Sequence, residues 1–330
     1  MKLVFVIAIV AIIIYTFRDS AGPILKELST TAPWVVITIC GAGVMYNVVE
    51  GWINYSFAKQ YNPQFTYRMG VESAFYCSFY RVATLGSGAG VAAVYYFNEK
   101  GIPVFQGTGM YMVEYAIHKV TIAIFSIIFF LLNFGFMKEH YSEYFNLLIA
   151  GYVLTAVIAT ALLLFCCSKK FHGILLFLVD KLNRKGKFDA QAAMLREQCG
   201  ILEDAAGMLL TKGKLIASIV AKNLLKFAFC YGIPFVILYR EYGLTLLQSW
   251  AVTSLAFMLA AVIPSPAGIG SSEFVFTALF TVLVGEAGSA ALLYRFATFV
   301  LPFVIGGVVV LLHKRIDRRI AKRKADKAQQ

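Results

Sequence analysis

Six stretches of this chain, 3–17, 33–54, 109–134, 147–167, 215–239 and 290–312, are apolar with few or no charges. A helix that crosses a bilayer needs roughly 20 mostly apolar residues, so the pattern predicts six transmembrane helices. Two further apolar stretches, 73–97 and 246–283, are interrupted near their centres by Gly, Ser and Pro. They read as broken segments rather than plain spans. The first stretch follows Lys2 as a signal peptide would. Its end, Tyr15-Thr16-Phe17-Arg18-Asp19, offers no small-residue cleavage site, so it is expected to stay as a short helix.

Composition strengthens this picture. Of 330 residues 59% are hydrophobic and only 15% charged, against about 25% charged in soluble domains; the mean hydropathy is +0.72. A net charge of +12 in a soluble protein would suggest nucleic acid as a partner, but position argues otherwise. Basic residues concentrate in the segment 168–214, from Lys169 to Lys214, and in the tail 313–330, from Lys314 to Lys327. The positive-inside rule puts both in the cytoplasm, where the tail is expected to touch anionic lipid heads.

Tracing the chain outward from these anchors, 246–283 must start and finish outside, while 73–97 starts and finishes in the cytoplasm. Arg18, Lys26, Lys138 and Arg240 are the basic residues left outside. The fold expected is an all-α polytopic membrane protein of the bacterial inner membrane, with both termini cytoplasmic. It has about six full transmembrane helices plus two re-entrant helical hairpins, arranged as an inverted repeat of 1–134 and 135–312. In the alternative, both broken segments are ordinary spans of an eight-helix protein. In 168–214, Leu195, Leu202, Ala206 and Leu209 suggest an amphipathic helix lying on the membrane.

The second break contains Pro264, Pro266, Gly268 and Gly270, followed by Ser271, Ser272 and Glu273. Prolines stop one helix, glycines permit the reversal, and a serine caps the next helix. Non-helical backbone at membrane depth requires cover by protein or a water-filled cavity, and amides at a helix N-terminus suit an anion. The first break, Thr84-Leu85-Gly86-Ser87-Gly88-Ala89-Gly90, follows Arg81 and lacks proline. It reads either as a matching turn or as close helix packing through small residues.

Ionisable residues inside spans are expensive and default to functional hypotheses. Glu50, Glu114, His118, Lys119, Lys222, Lys226 and Arg295 are such residues, with Glu114 and His118 one helical turn apart. Glu273 and Arg295 are the favoured pair. Lys119, Lys222 and Glu50 could instead snorkel to an interface or pair with a neighbour. The six cysteines form no CxxC pair or Cys/His cluster, so neither a metal nor another cofactor is expected.

The run Pro264-Ser-Pro266-Ala-Gly268-Ile-Gly270-Ser-Ser-Glu273, followed by Leu293-Tyr-Arg295-Phe and Leu301-Pro302-Phe-Val-Ile-Gly306, resembles the signature of the lysylphosphatidylglycerol synthase transmembrane family, the flippase-like domain. The aromatic run 75–80, the Thr-plus-glycine break and the helix bearing Glu114 are similar too. Here Thr84-Leu and Gly88-Ala-Gly90-Val stand where the family has Thr-Pro and Gly-Gly-x-Pro. Family members fused to a soluble aminoacyltransferase domain make lysyl-phosphatidylglycerol and flip it outward, which gives resistance to cationic peptides. This chain is expected to be a stand-alone member without transferase activity.

The resemblance, taken with the breaks, implies a lipid translocator acting on a phospholipid or another anionic lipid head group, such as a lipid-linked phosphate. Arg81, Thr84, Gly88, Gly90, Glu114, Pro264, Gly268, Gly270, Ser271, Glu273 and Arg295 are the expected binding residues. Membrane lipids are the expected partners, with a homo-oligomer or a lipid synthase as further possibilities and no nucleic acid. Two rival readings are a membrane-embedded enzyme of lipid modification and a non-transporting scaffold.

Overall fold

A computed structural model describes residues 21–84, 86, 88–182, 189–260 and 270–313. The stretch 3–17 and the tail beyond residue 313 therefore lie outside the described residues. Within them the chain is helical and has no strand. The first half contains α1 (Ala21–Thr30), α2 (Pro33–Ala58), α3 (Tyr67–Ala83), α4 (Ala89–Glu99) and α5 (Val104–Leu132). The rest follows as α6 (Phe134–Tyr141), α7 (Phe145–Cys167), α8 (Lys169–Leu182), α9 (Asp189–Leu210), α10 (Gly213–Tyr231), α11 (Ile233–Tyr242), α12 (Leu246–Ala260), α13 (Ser271–Val284) and α14 (Gly288–Arg295).

Among the described residues five helical stretches are long and apolar enough to cross a membrane: Pro33–Ala58, Val104–Leu132, Phe134–Ala161, Gly213–Tyr242 and Gly288–His313. They coincide with the five predicted spans that fall within the described residues. The protein is thus a polytopic helical membrane protein. Boundaries differ: α5 begins early, at the turn after Pro103, whose ring cannot continue the preceding helix, and the next span starts at Phe134 rather than at 147. The last span also changes character: a π-turn, Phe296–Val300, directly follows Arg295.

Each broken segment is a pair of short helices packed on each other, α3 with α4 and α12 with α13. Their lengths are 17 and 11 residues in the first pair and 15 and 14 in the second. At about 1.5 Å per residue every arm falls short of the roughly 30 Å hydrocarbon layer. The first pair begins at Tyr67, earlier than the predicted 73, because Thr66 caps it by accepting a hydrogen bond from the Met69 amide.

Close backbone approach fixes the first pair against α2. Gly51 and Gly70 face each other, and a Cβ on either would run into the other helix's backbone. Gly306 of the last span meets the Phe75 carbonyl in the same way. In a bilayer, where lipid tails are as apolar as the side chains, such small-residue crossings gain dispersion contacts that larger residues would prevent.

The basic segment 168–214 holds α8 and α9. Helix α9 packs on α5 and α7, its Ala206 and Leu209 are fully buried, and the Tyr61 hydroxyl donates to the Ala205 carbonyl at 2.8 Å. The apolar stripe expected to face lipid is therefore, at its C-terminal half, covered by protein.

Two apolar cores form. One gathers Ile39, Phe125, Phe227, Tyr231, Phe276, Phe280 and Tyr294 around the second pair. The other gathers Ile53, Phe57, Tyr96, Phe97, Val113 and Ile219 around the first. Along α2, α5 and α10 the two cores are separated by polar residues in mid-helix: Asn47 and Glu50, Glu114 and His118, Asn223 and Lys226. That layer places the site.

Candidate functional site

A cavity of about 600 Å³ opens at the polar layer. Helix α2 contributes Tyr46, Asn47 and Glu50, and α5 contributes Tyr111, Glu114, His118 and Lys119. Both broken pairs reach it as well, the first through Arg81, Gly86, Ala89 and Gly90, the second through Phe257, Ala260, Ser271 and Ser272. A smaller pocket of about 180 Å³ shares Tyr46, Arg81 and Ser272 with the cavity and adds Glu273, Tyr294 and Arg295. The two adjoin through these shared residues.

Lys226 lies under the cavity wall with no exposure at all. Its ammonium donates to Glu50 Oε2 at 2.5 Å and to His118 Nδ1 at 2.9 Å. It also sits 5.3 Å from the Tyr46 ring and 5.2 Å from the Phe227 ring, a cation–π cage. Ligand atoms of Glu50, Glu114 and His118 all lie within 4.8 Å of one another. Sequence spacing put Glu114 and His118 one turn apart on α5 but gave no hint of Glu50, which comes from α2. The Lys226 ammonium bonds two of the three residues.

Glu114 is buried, and its Oε1 has no hydrogen-bond partner. Arg81 is exposed, and because it lines both cavity and pocket, it is exposed toward that space. Arg81 makes no ion pair or hydrogen bond among the described residues. At the pocket end, Arg295 Nη1 pairs with Glu273 Oε1 at 2.5 Å and the guanidinium lies over the Phe299 ring, 5.6 Å away. The Arg295 Nε is buried without a partner. Thr298 and Phe299 of the π-turn line the same pocket, and such turns recur at functional sites because they re-aim side chains within a helix.

The structure thus brings Arg81, Gly90, Glu114 and Ser271 to the cavity, and Glu273 and Arg295 to the adjoining pocket. Thr84 and Gly88 line neither space. Thr84 Oγ1 donates to the Tyr80 carbonyl at 2.6 Å and accepts from the Gly88 amide at 2.7 Å, so together they fold the break. Gly270 supplies a φ of +87° immediately before α13, a conformation costly for residues with a Cβ. Pro264 and Gly268 lie outside the described residues.

Sequence reasoning weighed Glu50, His118, Lys119, Lys222 and Lys226 separately and did not join Glu50, His118 and Lys226 into one network. The signal that could have found it is an excess of ionisable residues at mid-depth in three spans. Lys222 behaves differently: its Nζ donates to Ser56 Oγ at 2.7 Å and rests over Trp52, away from the cluster.

A multi-pass helical membrane protein with a polar cavity where two broken helix pairs meet is the class that the fold and the site define. The chain belongs to the lysylphosphatidylglycerol synthase TM region family, whose profile matches residues 2–306. Membership places it among membrane proteins related to lipid modification or translocation. No curated protein matches the chain.

Proposed function

We propose that this protein is a lipid translocator that moves an anionic lipid head group, of a phospholipid or of a lipid-linked phosphate, across the bacterial cytoplasmic membrane. The observation that carries the reading is the meeting of both broken pairs on one polar cavity that holds an unpaired guanidinium, Arg81. A head-group phosphate there would gain charge-assisted hydrogen bonds from Arg81 and face the N-terminal ends of α4 and α13, whose dipoles favour an anion.

In this reading the two pairs are re-entrant hairpins of opposite orientation, entered from opposite sides of the membrane, with the N-terminus and C-terminus cytoplasmic. Tyr111, Tyr115 and Phe257 would cover the glycerol and upper acyl chains while the polar wall carries the phosphate. The cavity's lining suits binding and release, and the proposal involves no covalent step. Membrane lipids are the partners, and a lipid-modifying synthase or a second copy of the chain are further candidates.

Reconstitution into liposomes tests it. With fluorescent phosphatidylglycerol, phosphatidylethanolamine and phosphatidylcholine and a membrane-impermeant quencher, phosphatidylglycerol is expected to lose its protected inner-leaflet fraction faster than in empty vesicles. Arg81→Gln should slow it about tenfold, as loss of one charged hydrogen bond of roughly 1.5 kcal/mol would. If no lipid exchanges faster than in empty vesicles, the reading fails.

A further inference from the structure

We propose that the polar cavity is built for a lipid head group carrying two phosphates, with Arg81 holding the first and Lys119 forming a subsite for the second. The inference rests on the translocator reading and names the substrate class of that site.

Charges around the cavity cancel in all but two places. Lys226 and Glu50 compensate each other at 2.5 Å, and Glu273 answers Arg295 in the adjoining pocket. An ammonium can only donate, so His118 Nδ1 accepts from Lys226, and the ring is neutral with its proton on Nε2. Glu114 Oε1 is buried without a partner, within 4.8 Å of the Glu50 carboxylate. A second negative charge there would have no donor, so Glu114 is the neutral acid. Arg81 and Lys119 remain. Both line the cavity, and among the described residues neither makes a hydrogen bond or an ion pair.

Lys119 has no route to the membrane surface. It lies near the middle of α5, a helix of 29 residues, which puts its backbone about 15 Å from either face of a roughly 30 Å hydrocarbon layer. A four-carbon stem does not span that distance. Its ammonium instead rests over the Tyr115 ring, 5.3 Å from the centroid, on the cavity wall. Tyr115 is itself held by stacking on Tyr111 and His118.

Arg81 stands at another depth. It lies near the end of α3, just ahead of the first break, and Gly90 beyond that break packs against the Tyr111 ring. Tyr111 precedes Lys119 by eight residues, about 12 Å along the helix. The Glu114 acid lies between these two levels, where it can donate to a phosphate oxygen. Two unanswered cations at mid-membrane are expensive unless a ligand meets them. A phosphodiester brings one negative charge, whereas a head group with two phosphates brings at least two and neutralises the site.

Calorimetric titration of the full-length protein in a non-ionic detergent tests this with two matched pairs of probes. Short-chain phosphatidylglycerol is set against short-chain cardiolipin, and farnesyl phosphate against farnesyl diphosphate. The two-phosphate member of a pair is expected to bind at least about tenfold more tightly, the effect of one added charge-assisted hydrogen bond. Lys119→Gln should erase that difference and leave the one-phosphate affinity in place, while Lys119→Arg keeps the difference. A preference in the cardiolipin pair assigns phosphates separated by a glycerol, one in the farnesyl pair assigns a diphosphate, and either supports the proposal. If Lys119→Gln does not fold, Lys119→Met gives the same reading. Equal affinity within both pairs, or an undiminished preference without the lysine, overturns the proposal and leaves the translocator reading standing, since a one-phosphate lipid still binds. Binding of none of the four probes removes both.

Discussion

Lys226 Nζ and Glu50 Oε2 lie 2.5 Å apart across 176 residues of sequence. Neither charge is tolerable alone at this depth, so the contact ties α10 to α2 where the two apolar cores part. Replacing Lys226 with Met leaves a carboxylate without its counter-ion. That change is expected to destabilise by about 3–5 kcal/mol, whereas pairing it with Glu50→Gln should recover most of the loss. Thermal unfolding in detergent micelles, run as a double-mutant cycle, checks this. Additive losses would show that the two residues do not act as a pair.

The Arg295–Glu273 pair calls for a different expectation. The Glu273 side chain is 36% exposed but the Arg295 side chain only 9%, so removing the carboxylate leaves a largely buried guanidinium without its counter-ion. Glu273→Ala should therefore lower the unfolding midpoint as well as slow lipid exchange about tenfold, the equivalent of roughly 1.4 kcal/mol, whereas Arg295→Ala, which leaves a carboxylate open to water, should slow exchange as much at less cost to the fold. Lysine at 295 keeps the charge without the planar fork and should not restore the rate. A double alanine variant that moves lipid at the full rate would remove this pair from the pathway.

Packing makes a third prediction. Gly70→Val would drive a side chain into the backbone of α2 at Gly51 and into Tyr55, an overpacking cost of roughly 1–3 kcal/mol or more. Gly41, on α2 with nothing within 4 Å, should accept Ala with little change in melting temperature. Equal effects at the two positions would contradict the close crossing.

Hairpin orientation can be read directly by labelling. In a cysteine-free background, single cysteines at Gln64 and Lys100, which flank the first broken pair, are expected to react with an impermeant maleimide from the cytoplasmic side. Thr245 and Glu286, which flank the second, should react from the opposite side. A membrane lying between the two members of either couple would turn that pair into an ordinary span.

The spans were legible in the sequence because a bilayer demands a local property, about 20 successive apolar residues. Both breaks were legible for the same reason, since Gly and Pro act on their own turn of backbone. The Glu273–Arg295 position was marked by a short family motif. What sequence could not show is which charge answers which. Glu50, His118 and Lys226 look alike as isolated residues in apolar helices, and the likeness ends only when packing brings three helices together.

The amphipathic stripe of α9 makes the same point, because periodicity specifies an apolar face without saying whether lipid or protein covers it. By itself the sequence determined the solvent, the number of described spans and the two interruptions, all consequences of interactions within a few residues. Tertiary structure alone decided the Lys226–Glu50 bond, the shared cavity and the unpartnered carboxyl of Glu114. Those depend on distances between helices, which Coulomb energy and close packing set and which no stretch of sequence contains.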